Sequence, residues 1–396
     1  MSVQKNDVVI LSAVRTAIGG FGGSLKDVPL NELAAKVVAE AVSRAGVQPD
    51  DVQSVVVGSV IRTETYDAYL SRVAALKAGL PQSVQCLTVN RLCGSGLEAI
   101  VLAAQQIELG EVELAVAGGA ENMSRSIYHV PSARWGQRMG DATVVDELTT
   151  VLTDPFGNGH MGVTAENVAA EYGISRETQD AFAVESHRRA IAAIRNGYFK
   201  DQILPIELKT RKGVTIFDTD EHPRDNVTLE SLAALRPAFK KDGSVTAGNA
   251  SGINDGASML VLMDRARAER EGRKPLARIV SYARAGVDPK LMGTGPIPAV
   301  TRALERANLT VADMDVIESN EAFASQACAV SGALGFPADK VNPNGGAVAL
   351  GHPVGASGAI ITTKTIYELE RTGGRYGLMT LCIGGGQGIA AVIERL

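Results

Sequence analysis

Apolar positions recur at helical spacing through residues 31–46 and stop at Gly46, the residue type that most readily ends a helix. The next apolar stretches differ. Residues 52–60 (VQSVVVGSV) and 112–118 are short and rich in β-branched side chains, which predicts buried strands. Between them, Ser95-Gly96-Leu97 opens a long apolar helix that runs to near Gly110. The alternation returns later: 299–308 and 357–370 carry helical spacing, and 314–319 and 376–383 read as strands. Strands and helices alternating in this way build α/β units whose helices cover the faces of their sheets.

The two stretches also repeat each other in sequence. Residues 40–47 (EAVSRAGV) match 302–309 (RALERANL) at a shift of 262, and Asp51-Val52 and Ser95-Gly96 meet Asp313-Met314 and Ser357-Gly358 on the same register. Residues 114–119 resemble 379–385 at a shift of about 266. The pattern predicts two similar halves, one formed by residues 1–119 with 248–270 and the other by 271–396. Residues 120–247 separate them as a polar, turn-rich insert (PFGNGH, FDTDEHPRDN, KKDGSV) with one clear helix at about 175–196. Long loops on a rigid scaffold often carry ligands, so the insert reads as a lid or binding subdomain.

Composition narrows the class. A chain of 396 residues with 45% hydrophobic and 21% charged side chains is ordinary for a globular protein of more than one structural unit. A net charge of −5 argues against a general nucleic-acid binder but leaves room for an anionic ligand at a local basic patch. Four cysteines without C-x-x-C spacing suggest neither a disulfide framework nor a zinc site. No apolar run reaches the roughly 18 residues of a membrane helix, and the start, MSVQKNDVVILSAVRTA, has no leader character. A cytoplasmic protein is expected.

Candidate chemistry sits at strand-to-helix turns. Cys93 lies in NRLCGSG, ahead of a helix N-terminus whose dipole and free N–H groups favour a thiolate. On local sequence alone it is equally an inert buried cysteine. His352 (GGAVALGHPVGASG) precedes the equivalent helix of the second half, placed to take a thiol proton or to donate to a thioester oxygen. A lone histidine is more often structural. Cys382 meets the glycines of CIGGGQG, as a second acid/base or as a core residue at a strand end. Asn320 in NEAFA either fixes a water or caps the helix that follows. Arg211, Lys212, Arg224, Lys240 and Lys241 are candidate phosphate partners, or simply solvated charge. Neither a Walker-type nor a G-x-G-x-x-G fingerprint follows a strand, which disfavours nucleotide hydrolysis and dinucleotide redox chemistry.

NRLCGSG, GNASG, NEAFA, GGAVALGHPVGASG and CIGGGQG together resemble the motifs of the thiolase family, in family order and along the whole chain. HMGVTAEN and SRSIYHVPSARWG further resemble its short-loop, biosynthetic-type β-ketothiolases, in particular the broad-specificity bacterial ones that supply polyhydroxyalkanoate precursors. The resemblance implies a layered αβαβα fold of two duplicated halves with an inserted loop domain that holds coenzyme A. It implies that Cys93 is acylated, His352 activates it, and Asn320 holds a water beside His352 in one oxyanion hole. Cys382 would serve as acid/base for the α-carbon, and the amides of Cys93 and Gly384 as a second oxyanion hole. His160 and Ser251 would meet the pantetheine end of CoA and Arg224 and Ser231 its nucleotide end, with Ala247 a further CoA- or substrate-binding residue. Met161, Met292 and Phe323 would line the acyl pocket. The implied substrates are acetyl-CoA, acyl-CoA and 3-ketoacyl-CoA, with no metal or redox cofactor, and the implied assembly is a homotetramer. A strict acetoacetyl-CoA thiolase is the alternative. A decarboxylating ketosynthase would pair its cysteine with two histidines, and a non-catalytic acyl-CoA-binding relative would lack the Cys or the His.

Overall fold

The computed structural model describes residues 6–210 and 213–396; Arg211 and Lys212 lie outside them. Strands β1 (Val8–Thr16), β2 (Ser54–Gly58), β3 (Gln85–Val89), β4 (Leu114–Asn122), β5 (Asn254–Asp264), β6 (Ala277–Gly286), β7 (Val316–Ser319), β8 (Tyr376–Ile383) and β9 (Gln387–Arg395) form one path. Its order is β7-β8-β9-β6-β1-β5-β4-β2-β3.

Read outward from its middle, this path contains the same sheet twice. In the first half β1, β5 and β4 are antiparallel neighbours, and β4, β2 and β3 run parallel. In the second, β6, β9 and β8 are antiparallel and β8 and β7 parallel, with Val341 bridging Ile317 where β3 would stand. The halves meet where Val9 and Ile10 pair with Arg278 and Ala277.

Helices complete the layers. Helix α1 (Leu30–Ala45) covers the outer face of the first sheet, and α5 (Pro296–Ala307) that of the second. Between the sheets lie α2 (Ser95–Glu108) and α6 (Ser357–Thr372). This is the expected αβαβα arrangement, and it explains the unbroken apolar strands. Val55 and Val57 face the outer core while Val56 faces the middle layer, so no face of the strand is left for polar residues. The middle helices cross at the two glycines that the repeat aligns. A Cβ on Gly96 would stand 2.8 Å from the amide of Ala359, and one on Gly358 only 2.3 Å from that of Leu97. Only glycine permits that approach.

The insert is more helical than its sequence suggests. Besides α4 (Arg176–Arg195), capped by Ser175, it holds α3 (Met161–Glu171). The first sheet also runs further than expected, since β4 continues to Asn122. Arg15 of β1 ties the insert to the first half through a two-pronged ion pair with Asp220 at 2.7 and 2.9 Å, both side chains being 0% exposed. Asp220→Ala is expected to lower the unfolding free energy by about 3–5 kcal/mol, because it strands a buried guanidinium. Asp225→Ala, which breaks a pair about two-thirds exposed on both sides, should cost about 0.5 kcal/mol or less. Urea unfolding of the two variants side by side would measure the difference, and equal losses would refute it.

Candidate active site

The turn that carries Cys93 is held by its neighbours. Leu92 sits at φ 46°, a left-handed conformation unusual for a branched residue and most often found where function over-determines the backbone. Its N–H donates to Asn90 Oδ1 at 2.9 Å, while Ser95 Oγ donates to the Leu92 carbonyl at 2.6 Å and accepts from the Arg91 amide at 2.8 Å. The backbone N–H groups of Gly384 and of Cys93 itself lie close enough to the sulfur to favour its charged form. Gly384 has no room for a side chain: a Cβ would stand 2.9 Å from Leu92 and 3.2 Å from Met161.

His352 is buried and its tautomer follows from its partners. Ser357 Oγ donates to the Pro353 carbonyl at 2.9 Å, so it accepts from His352 Nδ1, 2.6 Å away. That leaves Nε2 as the basic nitrogen, and it has no hydrogen-bond partner. The His352 amide donates to Asn254 Oδ1 at 2.9 Å, which fixes the backbone as Ser357 fixes the ring.

Cys93, His352, Cys382 and Gly384 share one cavity of about 360 Å³ with His160, Met161, Ala247, Ser251, Met292 and Phe323. The halves contribute opposite walls and the insert a third. His160 Nδ1 accepts the Gly162 N–H, capping α3, and the ring stacks on Phe239 at 4.8 Å. Phe239 in turn meets Phe323 edge-on at 6.2 Å.

Two family models match the chain: the thiolase N-terminal domain over residues 8–266 and the thiolase C-terminal domain over 273–395. The chain belongs to the thiolase family. It is 62% identical to beta-ketothiolase BktB of Cupriavidus necator, covering 98% of this chain and 99% of that one. It is 52% identical to an acetyl-CoA acetyltransferase of the same organism, with the same coverage. A solved human mitochondrial 3-ketoacyl-CoA thiolase in complex with CoA superposes with a TM-score of 0.96 at 44% identity, over 99% of this chain and 98% of that one.

Three of the expected site residues of this thiolase lie outside the shared cavity. Asn320 is buried beside a separate space of about 20 Å³, room for a single water, and its Nδ2 has no protein partner. It does not cap the next helix, whose N-cap is Phe323. Arg224 lines a surface groove with His187, Arg188 and Arg195, and Ser231 sits exposed in a short helical turn, bonded to Thr228. Phe239 and Ser357 were not foreseen as site residues. The only signal for Phe239 was a lone aromatic in a polar loop, RPAFKKDG.

The thiolase site is electrically quiet. Burial pushes the Cys93 thiol up to about 11, against the pull of its two N–H donors, and burial lowers His352 to about 4. Burial, and after it the nearness of Cys93, also drive Cys382 upward. At Cys93, lost hydration therefore works against the thiolate that the helix N-terminus favours. Alkylation of Cys93 by iodoacetamide, followed by peptide mass spectrometry, should climb steadily from about pH 7 to 10. A plateau below pH 8 would mean a preformed thiolate–imidazolium pair.

Proposed function

We propose that this thiolase is a β-ketothiolase (acetyl-CoA C-acyltransferase) that condenses acetyl-CoA with an acyl-CoA and cleaves 3-ketoacyl-CoA with CoA. The observation that carries the reading is the meeting of two free thiols and an unpaired histidine nitrogen in one apolar cavity.

In the condensing direction, His352 Nε2 takes the Cys93 proton as the sulfur attacks the acyl thioester, and gives it to the departing CoA thiolate. The product is an acyl-Cys93 enzyme. Its thioester oxygen faces the Gly384 and Cys93 amides, which point where negative charge develops. Acetyl-CoA then enters, and Cys382 passes its proton to His352 and as a thiolate removes an α-proton. The carbanion attacks the acyl group, releasing the Cys93 sulfur, which takes the proton back from His352. Two sulfurs so close in an apolar cavity do not both hold charge, so Cys93 must be acylated before Cys382 acts as base. As the resemblance implies, Asn320 would hold a water that joins His352 in the other oxyanion hole, at the thioester oxygen of acetyl-CoA. His160 and Ser251 meet pantetheine, Arg224 and Ser231 the nucleotide, and Ala247 lines the substrate cavity. Thioester and thiol chemistry needs no metal or redox cofactor here.

Similarity to a named beta-ketothiolase at 62% identity, against 52% for an acetyl-CoA acetyltransferase, favours the β-ketothiolase reading over the strict acetoacetyl-CoA thiolase. Flexible Met123, Met161 and Met292 in the cavity wall suit it to acyl groups of more than one length. The decisive assay is CoA-dependent thiolysis of acetoacetyl-, 3-ketohexanoyl- and 3-ketooctanoyl-CoA. Comparable turnover of the longer substrates is expected. Activity confined to acetoacetyl-CoA would make it the strict enzyme, and no turnover of any would overturn the assignment.

Cytoplasmic location fits a described chain in which no helix is long and apolar enough to cross a membrane. A homotetramer fits the outward-facing Trp135 and Met139, 88% and 89% exposed on the 128–139 segment, and the half-exposed edge strand β3.

A further inference from the structure

Behind the cavity lies a carboxylate that the mechanism does not use. Glu121, near the end of β4, is 0% exposed and has no cationic partner among the hydrogen bonds and ion pairs it makes. Instead it collects three backbone donors: Oε2 accepts the Val60 N–H at 3.1 Å and the Gly355 N–H at 2.8 Å, and Oε1 accepts the Ile61 N–H at 3.1 Å. Val60 and Ile61 belong to the first half, and Gly355 lies three residues after His352 in the second. The side chains of Val60, Ile61 and Val354 form the apolar bed against which Cys93 packs.

We propose that Glu121 is a positioning residue for acyl transfer, whose carboxylate clamps the 60–61 turn of one half to the His352 turn of the other and so sets how His352 meets Cys93. The proposal rests on the acyl-Cys93 reading above. Every partner of Glu121 donates, which is the pattern of an ionised carboxylate. Burial pushes it up to about 8, and the three N–H groups oppose that. The titratable groups that face it are Asp255 of β5 and Cys93, on which its charge acts unfavourably. A glutamine in its place keeps the shape but turns an N–H toward one of the three donors.

The test uses the full-length enzyme. For Glu121→Gln, kcat for thiolysis should fall about ten- to hundredfold, with KM for CoA within about threefold, because the reacting groups are misplaced while the binding walls remain. The iodoacetamide profile of Cys93 should move to lower pH, since an opposing negative charge has gone. A residue that merely supports the fold would not move that profile in this direction. Wild-type kcat, or a lowered kcat with an unmoved profile, would overturn the proposal. If Glu121→Gln does not fold, Glu121→Asp decides. It keeps the charge on a shorter arm, so kcat should drop with the profile unchanged, and wild-type kcat would again be fatal. Failure of the underlying reading looks different: Cys93→Ala would keep its turnover, while the labelling profiles of the Glu121 variants would still report on Glu121.

Discussion

Cys93→Ala is expected to lower both acyl transfer and thiolysis by about 10⁴-fold or more, with the folded enzyme intact. Cys93 stands between the Gly384 amide and an apolar wall, partly buried at the edge of the cavity, so losing its sulfur opens no large void in the core. No other group in the cavity can replace it. Cys382 is the more deeply buried thiol and is pushed up further than Cys93, and His352 offers only its Nε2. The measurement is CoA release from acetyl-CoA in the absence of a second substrate, together with the mass of the acetylated protein. Turnover within tenfold of wild type would remove Cys93 from the mechanism.

The second large effect separates the two thiols. Cys382→Ser should still acetylate Cys93 from acetyl-CoA, since the His352–Ser357 pair and the Gly384 amide are untouched. Condensation should fall by about 10²–10⁴-fold, because a buried serine hydroxyl is a far weaker base than a thiolate for an α-proton. Single-turnover acetylation measured beside steady-state condensation tests both halves. If acetylation itself disappears, Cys382 acts in the first step and the division of labour is wrong.

Much of this molecule is written locally. Apolar runs at 54–58 and 376–383 must be buried on both faces, and the 262-residue register puts Ser95-Gly96 opposite Ser357-Gly358, so a duplicated α/β protein follows before any contact is known. The glycine-rich settings of Cys93, His352 and Cys382 mark backbone that must come close to something else, and the three side chains do reach one cavity. These features depend on near neighbours along the chain, whose spacing fixes which face a residue occupies.

The tertiary structure decided what depends on distant neighbours. A helix N-terminus after Cys93 favours a thiolate, yet burial by segments from both halves pushes the thiol up. The identity of the basic nitrogen on His352 depends on a hydroxyl five residues away that is itself committed to a carbonyl. Phe239 reaches His160 only after the insert folds back, and Glu121 finds Gly355 across 234 residues of sequence. Asn320 sits in a motif as distinctive as the others, and Arg224 and Ser231 in less distinctive loop sequence, yet all three lie outside the shared cavity. Hydration, proton position and convergence are properties of the assembled environment. The sequence alone determined the reacting groups and their frame, and only packing set their charge, their tautomer and their company.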